Sequence, residues 1–270
     1  MTYGKDFRER ITKPELLQLI GVYDAFSGRL AEKYFEGVFL SGFGYVASAH
    51  ALQDIGFLSW SDLLAFARSL RSAIRDETYL LVDVDDGFGN ESVAATVIPM
   101  LERLGVGAVM IEDQKRPRKC GHFEGKTLLP IDEYLVKLKA VLKSRKDLFV
   151  IARTDATDIE EGIRRARIYE EAEADAVMVE AVNSLDEIKQ LTSSVSVPVM
   201  VNQLGGGKSP SFTVEELEKA GVSLVIYSTP CLFAAQKGIE NYLTDMVKQG
   251  RLPEEGAATL ADFMAVLDQD

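Results

Sequence analysis

Eight short apolar runs recur along the chain, and stretches with helical periodicity separate most of them. They predict buried strands at residues 21–23, 38–41, 79–82, 108–111, 149–152, 176–179, 199–201 and 224–227. Strands alternating with helices indicate a parallel sheet, and eight such units in about 230 residues predict a single (β/α)8 barrel of the TIM type. A doubly wound open sheet is the alternative, but no Gly-rich dinucleotide fingerprint follows the first predicted strand.

The helical patterns predict helices at residues 61–73, 91–104, 131–142, 158–171, 185–191 and 213–220. Residues that can cap a helix N-terminus precede several of them, namely Ser59 or Ser61, Asn90, Asp158, Ser184 and Thr213. After the last strand, residues 230–250 and 257–267 are amphipathic and give more helix than one barrel needs. We therefore expect one barrel domain, residues 1–270, with extra C-terminal helices at 230–270 that pack elsewhere, for example on a neighbouring subunit.

Three carboxylates, Asp83, Asp85 and Asp86, stand directly after the predicted strand 79–82, and two glycines follow them. Anions crowded at a strand end repel one another unless a cation lies among them, and hard divalent ions prefer oxygen ligands. The stretch therefore predicts a Mg²⁺ site, with Mn²⁺ as the other ion of this type. A solvated acidic loop is the simpler alternative.

Polar residues follow most of the other predicted strands as well. In chain order the strand ends are Ser41 with Gly42, Asp83 with Asp85, Glu112 with Asp113, Arg153, Glu180 and Asn202. The carboxyl ends of barrel strands form one face of the molecule, where barrel enzymes place their chemistry. The set predicts a metal site facing an acidic substrate, in which Arg153 can grip a carboxylate with both arms of its guanidinium.

Residues 113–130 form a long connection rich in Lys, Arg, Gly and Pro, and we expect them to act as a lid over the site. Within this segment Cys120 lies among three potential cations, Arg118, Lys119 and His122. That setting predicts a favoured thiolate, accessible when the lid opens, that can exchange a proton with substrate. His122 is assigned equally to substrate contact or to hydrogen bonding within the loop.

The net charge of −12 argues against nucleic acid or an anionic membrane surface as a partner, because both require basic clusters. Two cysteines cannot form a disulfide framework, which indicates a reducing compartment. The polar N-terminus does not read as a signal peptide, and no apolar run approaches the length of a membrane span. We expect a cytoplasmic protein.

Taken together, these segments resemble the isocitrate lyase/phosphoenolpyruvate mutase superfamily over nearly the whole chain. The resemblance is carried by Ser41-Gly42, Asp54, the 83–89 segment, Glu112-Asp113-Gln114, Lys119-Cys120-Gly121-His122, the 152–156 segment and the 206–210 segment. It implies a (β/α)8 barrel whose C-terminal helix is swapped between subunits, in a homotetramer built from dimers.

The resemblance also implies roles for individual residues. Asp83 is expected to be the direct Mg²⁺ ligand, while Asp54, Asp85 and Glu112 hold the waters of the metal. The expected catalytic residues are Cys120, Arg153, Arg118 and His122. The expected substrate-binding residues are Ser41, Gly42, Phe43, Asp83, Lys119, Gly121, Arg153, Glu180 and Asn202.

Four positions depart from the pattern of the superfamily. Arg118 stands where the lid begins with Lys, Asp86 replaces a neutral residue, Gly205 replaces Glu, and Phe39 stands where the lyases often have Tyr. Arg118 keeps the charge of the Lys but cannot shuttle a proton.

The Cys-Gly-His lid implies a Mg²⁺-dependent carbon–carbon lyase that cleaves a 2-hydroxy dicarboxylate, a 2-alkylmalate or methylisocitrate, into an α-keto acid and a carboxylate. An oxaloacetate hydrolase or a phosphonate-handling mutase or hydrolase is the alternative within the superfamily. An inactive barrel that binds a keto acid is the alternative of another class, and the Arg118 and Gly205 departures keep it open.

Overall fold

The computed structural model describes residues 2–268, so the ends of the predicted 1–270 domain lie outside the described residues. Eight parallel strands form a closed barrel in chain order, with the last strand pairing onto the first. The strands are β1 Leu17–Val22, β2 Gly37–Leu40, β3 Tyr79–Asp83, β4 Ala108–Glu112, β5 Phe149–Thr154, β6 Ala176–Val179, β7 Val199–Gln203 and β8 Leu224–Tyr227. The predicted (β/α)8 barrel is confirmed, and the doubly wound sheet is wrong.

Helices surround the barrel, and the six predicted between strands are confirmed with bounds within two residues. The helices are α1 Tyr3–Ile11, α2 Ala25–Ala31, α3 Gly42–His50, α4 Trp60–Ala73, α5 Glu91–Arg103, α6 Ile131–Ser144, α7 Ile159–Glu171, α8 Leu185–Thr192, α9 Val214–Lys219, α10 Pro230–Gln249 and α11 Leu260–Leu267. The predicted caps are confirmed too, since a backbone N–H of the first turn donates to each of Ser59, Asn90, Asp158, Ser184 and Thr213.

The N-terminal quarter of the chain departs most from the prediction. The first strand is β1, Leu17–Val22, so the predicted strand at residues 21–23 begins four residues too far along the chain. Gln18 breaks the apolar run there, but the barrel accommodates it because the Tyr227 hydroxyl donates to its side-chain oxygen at 3.2 Å. Helices α1, α2 and α3 were not predicted from the sequence, because their apolar positions are few or lack clear periodicity.

The apolar side chains of the strands form two layers of core. One fills the barrel interior and includes Leu19, Leu81, Ile151 and Ile226, whereas the other lies between the strands and the surrounding helices. Helix α1 extends the interior layer, since Phe7 is fully buried with its ring 5.2 Å from that of Phe149. Burying a Phe side chain stabilises the fold by about 1.5–3 kcal/mol, so α1 is an integral part of the barrel.

The predicted surplus of helix after β8 is confirmed as α10 and α11. Helix α11 folds back onto α2, where Phe263 stacks on Phe26 at 4.9 Å between ring centroids. Helix α10 contains no buried residue among those described, and it exposes large apolar side chains such as Val247, 83% exposed. Within residues 2–268, neither α10 nor any other helix combines the length and the apolar character that crossing a membrane requires.

Candidate active site

A small cavity lies at the carboxyl ends of the strands, beneath the segment of residues 113–130. Its volume is about 40 Å³, room for about three water molecules. It is lined by Phe39, Ser41, Phe43, Asp54, Asp83, Met110, Arg118, Cys120, Gly121, His122, Arg153, Glu180, Asn202, Leu204, Ile226, Ser228 and Thr229. A dicarboxylate is larger than this cavity, so its entry requires the covering segment or a lining side chain to move.

Three of the four predicted metal-binding carboxylates surround the guanidinium of Arg118. Its Nε donates to Glu112 Oε1 at 2.6 Å, and its Nη1 lies 2.5 Å from Asp54 Oδ1 and 3.3 Å from Asp85 Oδ1. Arg118 is 2% exposed and Glu112 is 0% exposed, so these charges are shielded from water. The sequence predicted the convergence of the acids but not that an arginine lies at their centre.

Burial dominates the ionisation of these acids. It raises the pKa of Asp83, raises the pKa of Asp85 to about 8, and raises that of Glu112 well above its usual range, although nearby arginines act in the opposite direction. Burial alone would lower the pKa of Arg118, but Asp85, Glu112 and Asp54 hold it well above its usual value. Burial therefore opposes the ionised form of these acids, and the neighbouring arginines stabilise it.

The donor chemistry of Asp54, Asp83, Asp85 and Glu112 suits a hard divalent ion, because every potential ligand is a carboxylate oxygen. The Arg118 guanidinium is itself a cation standing within this donor set. With Arg118 there, no three His, Cys, Asp or Glu side chains among residues 2–268 are arranged around a common metal position. The residues fit a divalent ion in chemistry, and Arg118 occupies the space that three of them share.

Arg153 also lines the cavity and is already engaged with carboxylates. Its Nε and Nη2 donate to the two oxygens of Asp155 at 2.9 and 3.0 Å, and Nη2 also lies 3.3 Å from both Glu112 and Glu180. The bidentate interaction that was predicted with a substrate carboxylate is therefore made with Asp155. Arg153 still lines the cavity, and Nη1 has no hydrogen-bond partner among the described residues.

Cys120 lines the cavity and is buried, at 9% exposed. Burial raises its pKa to about 11, so the predicted favoured thiolate is wrong. The backbone N–H of His122 and the charge of Arg153 lower this pKa, but burial outweighs them, and Asp54 and Glu180 raise it further. Arg118 is paired with acids, and Lys119 turns toward the carbonyl oxygen of Glu124, 3.4 Å away. A protonated thiol at this position can donate a proton.

His122 and Glu180 meet at the edge of the cavity. His122 Nε2 lies 3.1 Å from Glu180 Oε1, while its Nδ1 accepts a hydrogen bond from the backbone N–H of Lys208 at 3.0 Å. Burial would raise the pKa of Glu180, but Arg153 and His122 outweigh it and hold that pKa at about 2. Glu180 is therefore ionised throughout the neutral range.

The 113–130 segment is folded over the cavity and tied to its surroundings. Lys126 Nζ lies 3.1 Å from Asp155 Oδ1, and Lys208, from the loop after β7, pairs with Glu124 at 2.5 Å. At its base Gln114 forms an antiparallel bridge with Leu128. These contacts describe a closed arrangement, and the opening of this lid stays a prediction.

The other predicted residues divide between the cavity and its supports. Ser41 and Phe43 line the cavity. Gly42 is the first residue of α3, and Ser41 caps the N-terminus of that helix. Asn202 lines it and donates to Glu180 Oε1 at 3.1 Å.

Two acids from the strand ends lie outside the cavity lining and are neutralised by other partners. Asp86 pairs with Arg116 at 2.7 Å, so it does not add a free negative charge beside the other acids. Asp113 accepts a hydrogen bond from the Tyr169 hydroxyl at 2.6 Å and pairs with Arg165 at 2.9 Å. Both carboxylates support the fold around the site.

Several lining residues were not predicted. Met110, Leu204 and Ile226 look like core residues in sequence, because nothing local separates a cavity wall from a packed interior. Ser228 and Thr229 directly follow β8, and the strand-end pattern could have identified them. Asp155, the partner of Arg153, follows β5 in the same way.

An all-parallel eight-stranded barrel with carboxylates, two arginines and a thiol at its carboxyl mouth is typical of barrel enzymes, which place their chemistry at this end of the strands. The family model described as phosphoenolpyruvate phosphomutase matches residues 7–247. The chain belongs to this family, and the resemblance to the isocitrate lyase/phosphoenolpyruvate mutase superfamily is confirmed.

Curated relatives and solved structures agree with this membership. The chain is 36% identical to 2-methylisocitrate lyase of Bacillus subtilis, over 92% of this chain and 83% of the relative. It is 29% identical to 2,3-dimethylmalate lyase of Eubacterium barkeri, over 90% and 86% of the two chains. A structure of oxaloacetate acetylhydrolase with 3,3-difluorooxalacetate superposes with a TM-score of 0.93 at 28% identity, covering 98% of this chain and 93% of that one. A phosphonopyruvate hydrolase solved with oxalate and Mg²⁺ gives 0.87 at 26% identity, covering 99% and 95%.

Proposed function

We propose that this chain is a carbon–carbon lyase that cleaves a 2-hydroxy dicarboxylate, of the 2-alkylmalate or methylisocitrate type, into an α-keto acid and a carboxylate. The observation that carries the proposal is the protonated, buried thiol of Cys120 at the cavity wall. Cleavage leaves a carbanion that needs a proton, and a thiol with a raised pKa holds one at neutral pH. The lyases among the relatives support the same reaction class.

Different residues of the site can bind the substrate, accept a proton from it and donate a proton to the product. Ser41 and the free Nη1 of Arg153 provide donors for a substrate carboxylate. A cavity carboxylate accepts the proton of the 2-hydroxyl group, the carbon–carbon bond breaks, and the electron pair passes to the departing fragment. Cys120 then transfers its proton to that carbon, while the closed 113–130 segment limits the access of water.

We include Mg²⁺ in the proposal, with Mn²⁺ as the other suitable ion. Asp83, Asp54, Asp85 and Glu112 are the residues that would hold it, and the Mg²⁺ in the phosphonopyruvate hydrolase structure supports the choice. A bound divalent ion would act as a Lewis acid that stabilises negative charge on oxygen.

Turnover of a panel of substrates tests the reaction class. We expect the purified protein with Mg²⁺ to release an α-keto acid from at least one 2-alkylmalate or from 2-methylisocitrate, measured with a coupled dehydrogenase. Oxaloacetate and phosphonopyruvate are assayed in parallel. If oxaloacetate is hydrolysed while no 2-hydroxy dicarboxylate is cleaved, the lyase proposal is wrong and the oxaloacetate hydrolase replaces it. The similarity to the oxaloacetate acetylhydrolase structure supports this alternative. Activity on phosphonopyruvate alone would show that the protein is a phosphonate-handling mutase or hydrolase. Binding of keto acids without turnover of any substrate would show that it is the inactive barrel.

We also propose that the protein is a homotetramer in which the C-terminal helices pack between subunits. The exposed apolar side chains of α10, among them Ile239 at 58% and Leu243 at 53%, support this assembly. Light scattering should give four times the mass of one chain, and replacing Ile239 and Leu243 with Asp should yield smaller species. A monomeric wild-type protein would contradict the assembly.

The proposal places the enzyme in the cytoplasm. Both cysteines are free thiols, which suits a reducing compartment.

A further inference from the structure

Arg118 lines the cavity and contacts three buried acids. Its Nε and Nη2 face the two oxygens of Glu112 at 2.6 and 3.3 Å, while Nη1 bridges Asp54 and Asp85. One guanidinium therefore engages three buried carboxylates that belong to three different parts of the chain. It holds the place among these acids that the donor set would otherwise offer to a divalent ion.

We propose that Arg118 and a divalent cation compete for Asp54, Asp85 and Glu112, so that tight cation binding requires the guanidinium to leave. The inference rests on the proposed function only in taking the cation to bind at these acids. A guanidinium and a divalent ion weaken each other's binding to the same carboxylates, whether the ion binds them directly or through its waters, because the two cations repel one another and draw on the same lone pairs. While Arg118 is in place, Asp83 is the remaining acid of the set, and a single carboxylate is a weak site.

The competition depends on arginine in particular. The planar guanidinium has five N–H donors in a fixed fork, which lets it contact the three acids at once. A lysine at this position has one nitrogen at the end of a flexible chain and would leave part of the set free. We therefore infer that the arginine lowers the affinity for divalent ions below that of a chain with lysine at this position.

The position of Arg118 in the chain links cation binding to the covering segment. Arg118 lies two residues before Cys120, whose backbone N–H donates to the carbonyl oxygen of Asp54 at 3.1 Å. A movement of the main chain at residue 118 would therefore also affect the residues that carry the thiol.

Mn²⁺ binding tests the proposal without substrate, using electron paramagnetic resonance to count free Mn²⁺ in titrations of the purified full-length protein. We expect Arg118→Gln to bind Mn²⁺ at least tenfold more tightly than wild type, and Arg118→Lys to fall between them. Arg116→Gln is the matched control, since Arg116 is in the same segment, pairs with Asp86 and has a side chain 37% exposed. Its Mn²⁺ affinity should equal that of wild type.

Thermal unfolding gives a second readout. Without metal, Arg118→Gln should melt below wild type because three buried acids lose their cation, and Mn²⁺ should raise its Tm by more than it raises that of wild type. Equal Mn²⁺ affinities in wild type and Arg118→Gln would show that the two cations coexist and would overturn the proposal, as would weaker binding by the variant. If Arg118→Gln does not fold, Arg118→Lys decides by the same comparison. Failure of the lyase reaction would appear in turnover alone and would leave this order of Mn²⁺ affinities unchanged.

Discussion

Replacing Arg153 with Leu will abolish turnover and lower the free energy of unfolding by about 3–5 kcal/mol, the range measured when one partner of a buried ion pair is removed. The guanidinium lies within 3.3 Å of Glu112, Asp155 and Glu180. These carboxylates are buried, so water cannot replace the lost charge. The same change removes the donor that we assign to the substrate carboxylate.

The measurement is urea unfolding followed by circular dichroism, together with the α-keto acid assay. Arg164→Leu is the control, because Arg164 pairs with Glu161 on the surface with a side chain 58% exposed. Exposed ion pairs contribute about 0–1 kcal/mol, so this variant should stay close to wild type in both assays. An Arg153→Leu protein as stable as wild type would show that the buried acids are protonated rather than paired.

Replacing Cys120 with Ala will lower kcat by about 10²- to 10⁴-fold, the usual contribution of a positioned proton donor. The fold should survive, because the thiol makes no ion pair and the change removes only one sulfur atom. Steady-state kinetics on the best dicarboxylate measure the effect, with Cys231→Ala as the control. Cys231 is partly buried against the helix layer of the core and does not line the cavity. Full activity in the Cys120→Ala protein would exclude the thiol as the proton donor and would favour the hydrolase or the mutase.

The pKa of Cys120 sets the direction of the pH dependence. Because burial raises that pKa to about 11, the thiol keeps its proton at neutral pH and loses it as the pH rises through about 11. Its contribution as an acid is therefore fully present below pH 9 and is lost only in strong alkali. Alkylation of Cys120 by iodoacetamide, measured in a Cys231→Ser background, should be slow at pH 7.5 and should accelerate as the thiolate forms.

Much of the fold could be predicted because local patterns carry it. Apolar runs of strand length and helical periodicity depend on neighbouring residues, and they located seven of the eight strands closely. The first strand was misplaced where Gln18 interrupts the run, since its partner Tyr227 comes from the far end of the chain. Helix α1 was not predicted because few of its residues are apolar. Phe7 contributes to stability only once the folded barrel buries it.

The residues of the site were predictable for a topological reason. In a closed parallel barrel every strand ends at the same mouth, so polar residues after the strands must lie near one another. This rule identified Asp83, Glu112, Arg153, Glu180 and Asn202, and the structure brings them to one cluster. Asp54 was identified from the family resemblance alone, since it lies in the connection between α3 and α4 and does not follow a strand.

The sequence by itself determined the barrel, the convergence of acids and Arg153 at its mouth, and the covering segment of residues 113–130. Only the tertiary structure decided which charges pair and which proton each group holds. Arg118 and Asp54 are 64 positions apart, and their contact depends on how the covering segment folds over the strand ends. The raised pKa of Cys120 likewise comes from burial beneath that segment, whereas its neighbours in sequence predicted a thiolate. Electrostatic energies in a protein depend on distance and access of water, and neither is encoded in the spacing of residues along the chain.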